Sequence, residues 1–409
     1  MRRLRDFLLF FGGVLFGVVL TGIAVGGTSK KKAKKGIFQS KYKKLDIFSS
    51  VLSYIENDYV DKIKGEKLIH GCIKGMMDKL DTYSVFIPPK QYQEMKAETS
   101  GEYGGPGLTL YRKKGKVLVW SPLPGSPAKR AGILRSDILL QINGNSLGNI
   151  SMHKIRRMLR GRPGTKVHLY IQRKGWRKPK SFVLIREQIR LRSVVVRTLS
   201  PGYHYIHIKS FQDRTGRQMK KALERLSKSK HKIKGLILDL RGNPGGLFDQ
   251  SVRVADLLVQ KGLIVVTRGR PPRKNEVEKA HKKGTWLGFP VVCLINEGTA
   301  SAAEIVAGAL QDHRRALTLG GNSFGKGSVQ TIIDLNDGSG LKITIARYYT
   351  PLGRKIQGRG LKPDLFVKAS KSGRRDPQLK AALYYLKNPS RYQKALGRGL
   401  PKKMRKRKP

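Results

Sequence analysis

Apolar positions fall into three rhythms along the chain, and each predicts a different kind of structure. Phe48, Val51, Leu52, Ile55 and Tyr59 recur every three or four residues, the period of one helical face. A second helix is expected over residues 66–79, and a short polar helix over 91–95 follows the Pro88-Pro89 interruption. Over residues 101–190 short strand-like runs alternate with Gly and Pro. Farther on, apolar strands alternate with helical stretches, which predicts an α/β core. One strand at residues 291–295 feeds a turn and a helix reaching about residue 310, and strands are expected at 329–335 and 341–348. Past about Ala369 the chain is basic and punctuated by Pro and Gly, with one helical stretch at 379–386. It ends in Lys402, Lys403, Arg405, Lys406, Arg407 and Lys408, which reads as a disordered tail. No internal repeat is visible.

The N-terminus adds a different signal. Behind Arg2, Arg3 and Arg5, residues 7–29 are uncharged and rich in Leu, Val, Phe and Gly, long enough to span a bilayer core as a helix. A cleaved signal peptide, with its shorter apolar region of about 7–15 residues, is the competing reading, with cleavage after Ala24-Val25-Gly26. Gly13-x-x-x-Gly17 and Gly22-x-x-x-Gly26 would let two such helices pack into a homodimer. The lysines that follow, Lys30 to Lys35, outnumber the arginines before the span and taken alone favour the body inside. The expected division is therefore an anchor or signal segment (1–29), a basic linker and N-terminal helical region (30–100), a β-rich module (101–190), an α/β core (191–368) and a basic C-terminal region (369–409).

Charge changes the picture less than its size suggests. Across 409 residues, 84 Lys and Arg face 27 Asp and Glu, a formal net charge of +57. Residues 101–190 hold 20 basic against 3 acidic residues, yet the remainder is also strongly basic. An excess spread so evenly does not mark one polyanion-binding face. No nucleic-acid module or aromatic-basic platform accompanies it, so a nucleic-acid partner is not expected. Cys72 and Cys293 are too few and too far apart for a disulfide scaffold or a zinc site, and both read as buried small apolar residues. No metal or organic cofactor is called for.

The β-rich module reads as a peptide binder. Gly104-Gly105-Pro106-Gly107-Leu108 is a glycine-rich turn entering a strand, where successive N–H groups can hold a carboxylate. It is followed by Gly125-Ser126-Pro127-Ala128, Ala131-Gly132-Ile133, Asp137-Ile138-Leu139 and Ile142-Asn143-Gly144. This series resembles the PDZ domain carried by C-terminal processing peptidases. Gly105, Pro106, Gly107 and Leu108 are the expected peptide-binding residues. Pro106 stands where an apolar residue is common and removes one backbone donor. Ser136 stands where glycine is common.

The catalytic case begins at Asn296-Glu297-Gly298-Thr299-Ala300-Ser301-Ala302-Ala303-Glu304. Ser301-x-x-Glu304 has capping-box spacing. A serine at a helix start also lies beside free N–H groups and the positive end of the dipole, where an oxyanion is stabilised. None of the eight histidines sits in a Ser/His/Asp arrangement; His204, His207 and His313 read as structural. A lysine serves as base if burial leaves it neutral. Lys326, flanked by Gly325 and Gly327, has such a setting, with burial expected against Phe324 and the glycine-rich backbone. Gly320-x-x-x-x-Gly325-Lys326 approaches a phosphate-binding loop, but Gly327 replaces the Ser or Thr that holds magnesium, and a strand follows.

Several motifs in order resemble the C-terminal processing peptidase family. They are Gly75-Met76 with Leu80-Asp81, and Leu238-Asp239-Leu240-Arg241 with Asn243-Pro244-Gly245-Gly246. Downstream come Ala300-Ser301-Ala302, Phe324-Gly325-Lys326-Gly327 with Val329-Gln330, Tyr348-Tyr349-Thr350-Pro351 and Lys362-Pro363-Asp364. The resemblance spans residues 47–367. It implies an α/β multidomain chain with a PDZ domain and a crotonase-like peptidase core. It also implies a Ser301/Lys326 pair supported by Gln330, and an oxyanion hole from the Ala302 amide and either Gly245 or Gly246. Thr299, Ala303 and Gly242 depart from residues common in the family, and none is a reacting group. Asp239 and Arg241 read as structural partners at a strand end. The resemblance further implies protein substrates with free C-termini and a body outside the cytoplasm, which outweighs the lysine count; with residues 7–29 as anchor, the expected place is the inner membrane. Two other classes stand beside it: a non-catalytic PDZ scaffold and a basic nucleic-acid-binding protein.

Overall fold

The computed structural model describes residues 36–271, 275–370 and 376–398. The uncharged run 7–29 and the basic C-terminal tail lie outside these residues. Among the described residues, no helix is long and apolar enough to cross a membrane. The chain divides into two compact units, the second beginning at Cys72. The described part of the first comprises the helix Gly36–Asp58 and the opening of the helix Gly65–Asp78.

In the second unit the central layer is a six-stranded sheet. Its order is Val194–Ser200, Tyr203–Ile208, Gly235–Asp239, Val291–Ile295, Ala316–Gly320 and Leu365–Phe366. The first strand is antiparallel and the other five are parallel. Parallel strands covered on both faces read as continuous apolar runs, and Gly235–Asp239, Val291–Ile295 and Ala316–Gly320 are buried along their whole length. Alternate side chains then serve opposite layers. Leu236, Leu238, Val291, Cys293 and Ile295 pack with the helices Thr215–Ser227, Phe248–Asp256 and Ala302–Asp312. Ile237, Val292, Leu294, Leu317 and Leu319 pack under Pro377–Lys387 and Pro389–Arg398.

The second of those C-terminal helices was not expected from the sequence. Arg241 fastens the first: its guanidinium bonds Asp239 at the strand end and reaches Asp376, the N-cap of Pro377–Lys387. Asp239 also accepts the Tyr205 hydroxyl at 2.7 Å, so both members of the Asp239/Arg241 pair have the structural contacts expected of them.

A separate six-stranded antiparallel sheet, Leu108–Lys113 through Lys180–Ile185, forms the β-rich module around its own core. Leu108–Lys113 lies at an edge of this sheet. The two-stranded pair Glu102–Gly105 and Glu187–Arg190 joins the chain where it enters and leaves the module. A third, five-stranded sheet contains the hairpin Ser328–Asp334/Gly340–Tyr349 and the short strand Val85–Ile87. Residues upstream of the module therefore contribute a strand to the layer beside the core. Of the two cysteines, Cys293 is buried as expected but Cys72 is exposed, because its position on Gly65–Asp78 faces outward.

Candidate active site

Parallel α/β sheets concentrate chemistry at the carboxyl ends of their strands. Three loops leave that edge here. Residues 240–247 follow Gly235–Asp239, residues 296–301 follow Val291–Ile295, and residues 321–327 follow Ala316–Gly320. They bring together the glycine pair, Ser301 and Lys326.

Ser301 is the N-cap of Ala302–Asp312, with φ 55° and ψ −120°. A non-glycine residue in that region carries roughly 1–3 kcal/mol of strain, which the surroundings must hold. Two groups do so. The Glu304 carboxylate, 0% exposed, accepts the Ser301 N–H at 2.8 Å and the Lys326 N–H at 2.9 Å, both on Oε2. Its Oε1 accepts the Gly325 N–H at 2.8 Å and the Ser323 hydroxyl at 2.5 Å. The Tyr348 hydroxyl lies against the carbonyls of the same two residues, 3.0 Å from Ser301 O and also bonded to Lys326 O. Ser301 and Lys326 are thus tied to each other through both their amides and their carbonyls. The capping-box spacing is real, but its glutamate also organises the lysine loop.

Burial pushes the Glu304 carboxyl up, against four hydrogen bonds that pull it down. The Lys326 amine is half-buried and pushed down, first by burial and then by Lys342, with Asp81 and Glu304 opposing. The glycines beside it act as expected. A Cβ on Gly327 would stand 2.4 Å from the Gln357 N, so the turn at residues 356–360 closes directly on the lysine loop. Phe324 does not take part in the burial: it is 60% exposed. Its backbone N–H is drawn back to Thr299 O, and the aromatic group over the Lys326 ammonium is Tyr83 instead, 4.7 Å to the ring centroid.

Gly245 meets Ser301 closely, since a Cβ there would lie 2.8 Å from the Ser301 Cβ and 3.1 Å from the Ala302 N. Its N–H donates to Asn243 Oδ1 at 2.9 Å. Gly246 is the centre of a parallel bridge with Phe211. The bonds of that bridge are made by the Gly245 carbonyl and the Leu247 N–H, which leaves the Gly246 N–H outside it. Gln330 lies on the adjoining hairpin, where its amide donates to Ser328 at 2.7 Å and to Thr344 at 3.4 Å.

Two of the histidines read as structural have partners away from Ser301. His313 bonds Leu263 O at 2.6 Å, and His204 and Thr198 are 3.2 Å apart. The strand Ser328–Asp334 follows Lys326, so the helix a phosphate-binding loop requires is absent there. In the β-rich module, Gly105, Pro106, Gly107 and Leu108 form a buried turn whose Pro106 carbonyl accepts the Ala128 N–H at 2.9 Å. Tyr83, Asp81 and Lys342 also lie around the lysine, and no sequence pattern assigns them a role there. Only Asp81 had a signal, as part of Leu80-Asp81.

A strained serine at a strand–turn–helix junction, a half-buried lysine beside it and a separate peptide-binding sheet define a PDZ-bearing serine peptidase. The profile of peptidase family S41 matches residues 202–367, a PDZ domain profile matches 119–173, and that of the activating protease CtpB N-terminal domain matches 21–90. The chain is 37% identical to a carboxy-terminal-processing protease of Bartonella bacilliformis over 89% of its own length and 83% of that protein's. It is 35% identical to the carboxy-terminal processing protease CtpA of Bacillus subtilis, covering 88% and 77%. A solved structure from Bacteroides fragilis, described as a candidate S41 protease, shares the fold, with a TM-score of 0.52 at 17% identity over 81% of this chain and 92% of that one. The chain belongs to the carboxy-terminal processing proteases, PDZ-containing serine peptidases of family S41.

If Glu304 holds the two catalytic loops together, Glu304→Ala should cost at least about a hundredfold in kcat/KM. It leaves several buried donors unpaired, each worth roughly 1–3 kcal/mol. A Glu304→Ala enzyme with wild-type turnover and melting temperature would remove the clamp from the account.

Proposed function

We propose that this protease cleaves exported proteins near their C-termini by a Ser301/Lys326 mechanism, with the PDZ domain capturing the free carboxylate. The observation that carries the reading is the joint tethering of Ser301 and Lys326 by Glu304 and Tyr348, beside a base whose burial favours its neutral form. Neutral Lys326 takes the Ser301 proton as Oγ bonds to the scissile carbonyl carbon and the carbonyl electrons move to oxygen. The Ala302 N–H, at the helix start, and the Gly246 N–H, left out of its bridge, then face the oxyanion. Gly246 is preferred over Gly245 because the Gly245 N–H already has Asn243. Collapse of the intermediate breaks the peptide bond, and the Lys326 ammonium protonates the leaving amine. Water then releases the acyl group, again with Lys326 as base. Gln330, on the strand that follows Lys326, is the residue this reading assigns to supporting the lysine, with its own amide held by Ser328 and Thr344.

Capture in residues 101–190 and chemistry in 191–368 divide the work. The edge strand Leu108–Lys113 can add a peptide strand, and the turn at 105–108 lies at its start, where the terminal carboxylate would rest. Residues 7–29 would anchor the chain in the inner membrane, with the body on the extracytoplasmic side. The length and apolarity of that run support the anchor.

Mass-spectrometric mapping of new termini should find cuts near substrate C-termini that vanish in Ser301→Ala. Lys326→Ala should lose about a hundredfold or more in kcat/KM, the usual scale for a general base. Lys326→Arg should fail equally, since a guanidinium stays charged. Because burial lowers the lysine from its ordinary range, kcat/KM should rise with pH through that lowered pKa and be lost below it. Retained cleavage in Lys326→Ala would refute the dyad. Amidating the last carboxylate of a peptide should weaken its binding by about 1–3 kcal/mol; equal affinity for acid and amide would dismiss carboxylate capture. Full-length protein should stay with membranes through a high-salt wash that strips fragment 30–409, because salt screens charge but not a membrane helix. A mature chain starting near Gly27 would instead identify a cleaved signal.

A further inference from the structure

Tyr83 reaches the base from a turn upstream of the PDZ domain. The turn is built on Asp81, whose carboxylate accepts the N–H groups of Tyr83 and Ser84, both at 2.8 Å, and the Ser84 hydroxyl at 3.2 Å. It is fastened to the strand Gly340–Tyr349: the Thr344 N–H donates to Ser84 Oγ at 3.0 Å, and the Thr344 hydroxyl to Asp81 at 3.2 Å. Directly afterwards Val85–Ile87 pairs with the same strand. The ring is therefore held in place by its backbone, and among the described residues it is the aromatic group over the Lys326 ammonium.

The same strand carries Lys342. It stands two residues from Thr344 and so shares its face. Lys342 is opposite Ile332, as Thr344 is opposite Gln330, which places Lys342 on the wall that carries Gln330. It is half-buried, and among the described residues no carboxylate pairs with it. The ionisable groups around Lys326 are Asp81 and Tyr83 from the turn, Glu304 from the serine helix, and Lys342 and Tyr348 from the hairpin.

We propose that Tyr83 and Lys342 are positioning residues for the general base. Lys342, on the same wall, adds a like charge to the burial that disfavours the Lys326 ammonium, and the Tyr83 ring receives the ammonium formed when Lys326 takes the Ser301 proton. An aromatic face attracts a cation within about 6 Å of its centroid and holds a neutral amine far less, so its contribution appears as the charge develops. In that step the Ser301 O–H bond breaks and the Lys326 N–H bond forms as Oγ bonds to the scissile carbonyl carbon and the carbonyl π electrons move to oxygen. The inference rests on the Ser301/Lys326 reading and deepens it.

The test is the pH dependence of kcat/KM for the full chain, measured with a quenched-fluorescence peptide ending in a free apolar residue. Melting temperatures establish that each variant folds. Tyr83→Leu should lose roughly threefold to thirtyfold in kcat, and its acid limb should move to lower pH because the ammonium has lost its partner. Tyr83→Phe, which keeps the ring, should restore both. Lys342→Met removes a like charge, so its acid limb should move to higher pH. If Tyr83→Leu does not fold, Tyr83→Met takes its place. A slower Tyr83→Leu enzyme with an unmoved acid limb, or a Tyr83→Phe enzyme equally impaired, would reduce Tyr83 to a structural residue. An unmoved limb in Lys342→Met would overturn the role of Lys342. Cleavage retained in Lys326→Ala would instead sink the dyad itself, so the two failures are distinguishable.

Discussion

A carboxylate buried away from water is costly unless its oxygens are supplied with donors, and Glu304 is supplied with four. Those donors come from the serine turn and from the loop running from Ser323 to Lys326. Neither segment alone satisfies the carboxylate, so burying Glu304 requires both to arrive. Tyr348 applies the complementary constraint to the carbonyls of Ser301 and Lys326. A residue whose own N–H and C=O are both held has the peptide planes on either side of its Cα fixed, and so little freedom left in φ and ψ. This explains how Ser301 can keep a backbone conformation that an isolated serine would leave. The strain at Ser301 and the burial of the glutamate are two sides of one arrangement.

The electrostatics of the lysine are similarly local. A chain of net charge +57 sets a positive background, but charges farther away than a Debye length, about 8–10 Å at ordinary ionic strength, are largely screened at the surface. What Lys326 senses is its own burial and the few groups beside it. Burial and Lys342 push it toward the neutral form, while Asp81 and Glu304 pull it back. Glu304 takes part in this balance only because its geometric task places it there. Its hydrogen bonds to backbone N–H groups leave its charge diluted rather than paired directly with the lysine ammonium.

The central sheet was legible because a strand buried on both faces must be apolar throughout, and Val291–Ile295 could hardly be read otherwise. The turns that carry Ser301 and Lys326 were legible through their immediate neighbours, a strand, a turn and a helix start for one and two glycines for the other, while the pairing of the two came from the resemblance to the C-terminal processing peptidases. The choice between Gly245 and Gly246 was not, because it depends on whether Asn243 folds back onto its neighbour and on pairing with Phe211. Phe324 misled through residue type. An aromatic beside a buried lysine suggests a wall, but its backbone bond to Thr299 leaves the side chain outward. Tyr83 and Lys342 gave no local signal, since their relevance comes from strand pairing across long stretches of chain. The helix Pro389–Arg398 was hidden by basic composition, although Tyr392 and Ala395 bury themselves against the sheet.

The long-range pairing that hid these residues also explains how the site is supported from the PDZ side. The helix Pro89–Ser100 follows Val85–Ile87 and leads into the module. Glu94 and Glu98 on it pair with Arg157 and Arg160 of the PDZ domain, and Lys96 pairs with Asp334 at the end of the hairpin that carries Gln330. Exposed ion pairs of this kind contribute little individually. Tyr92 contributes more. It is buried against Gly340, where a Cβ would stand 2.7 Å from the ring, so any larger residue would force the helix and the hairpin apart. The hairpin beside Lys326 is therefore located by a packed aromatic contact as well as by its own strand pairing. The segment making that contact is also the one that delivers Tyr83.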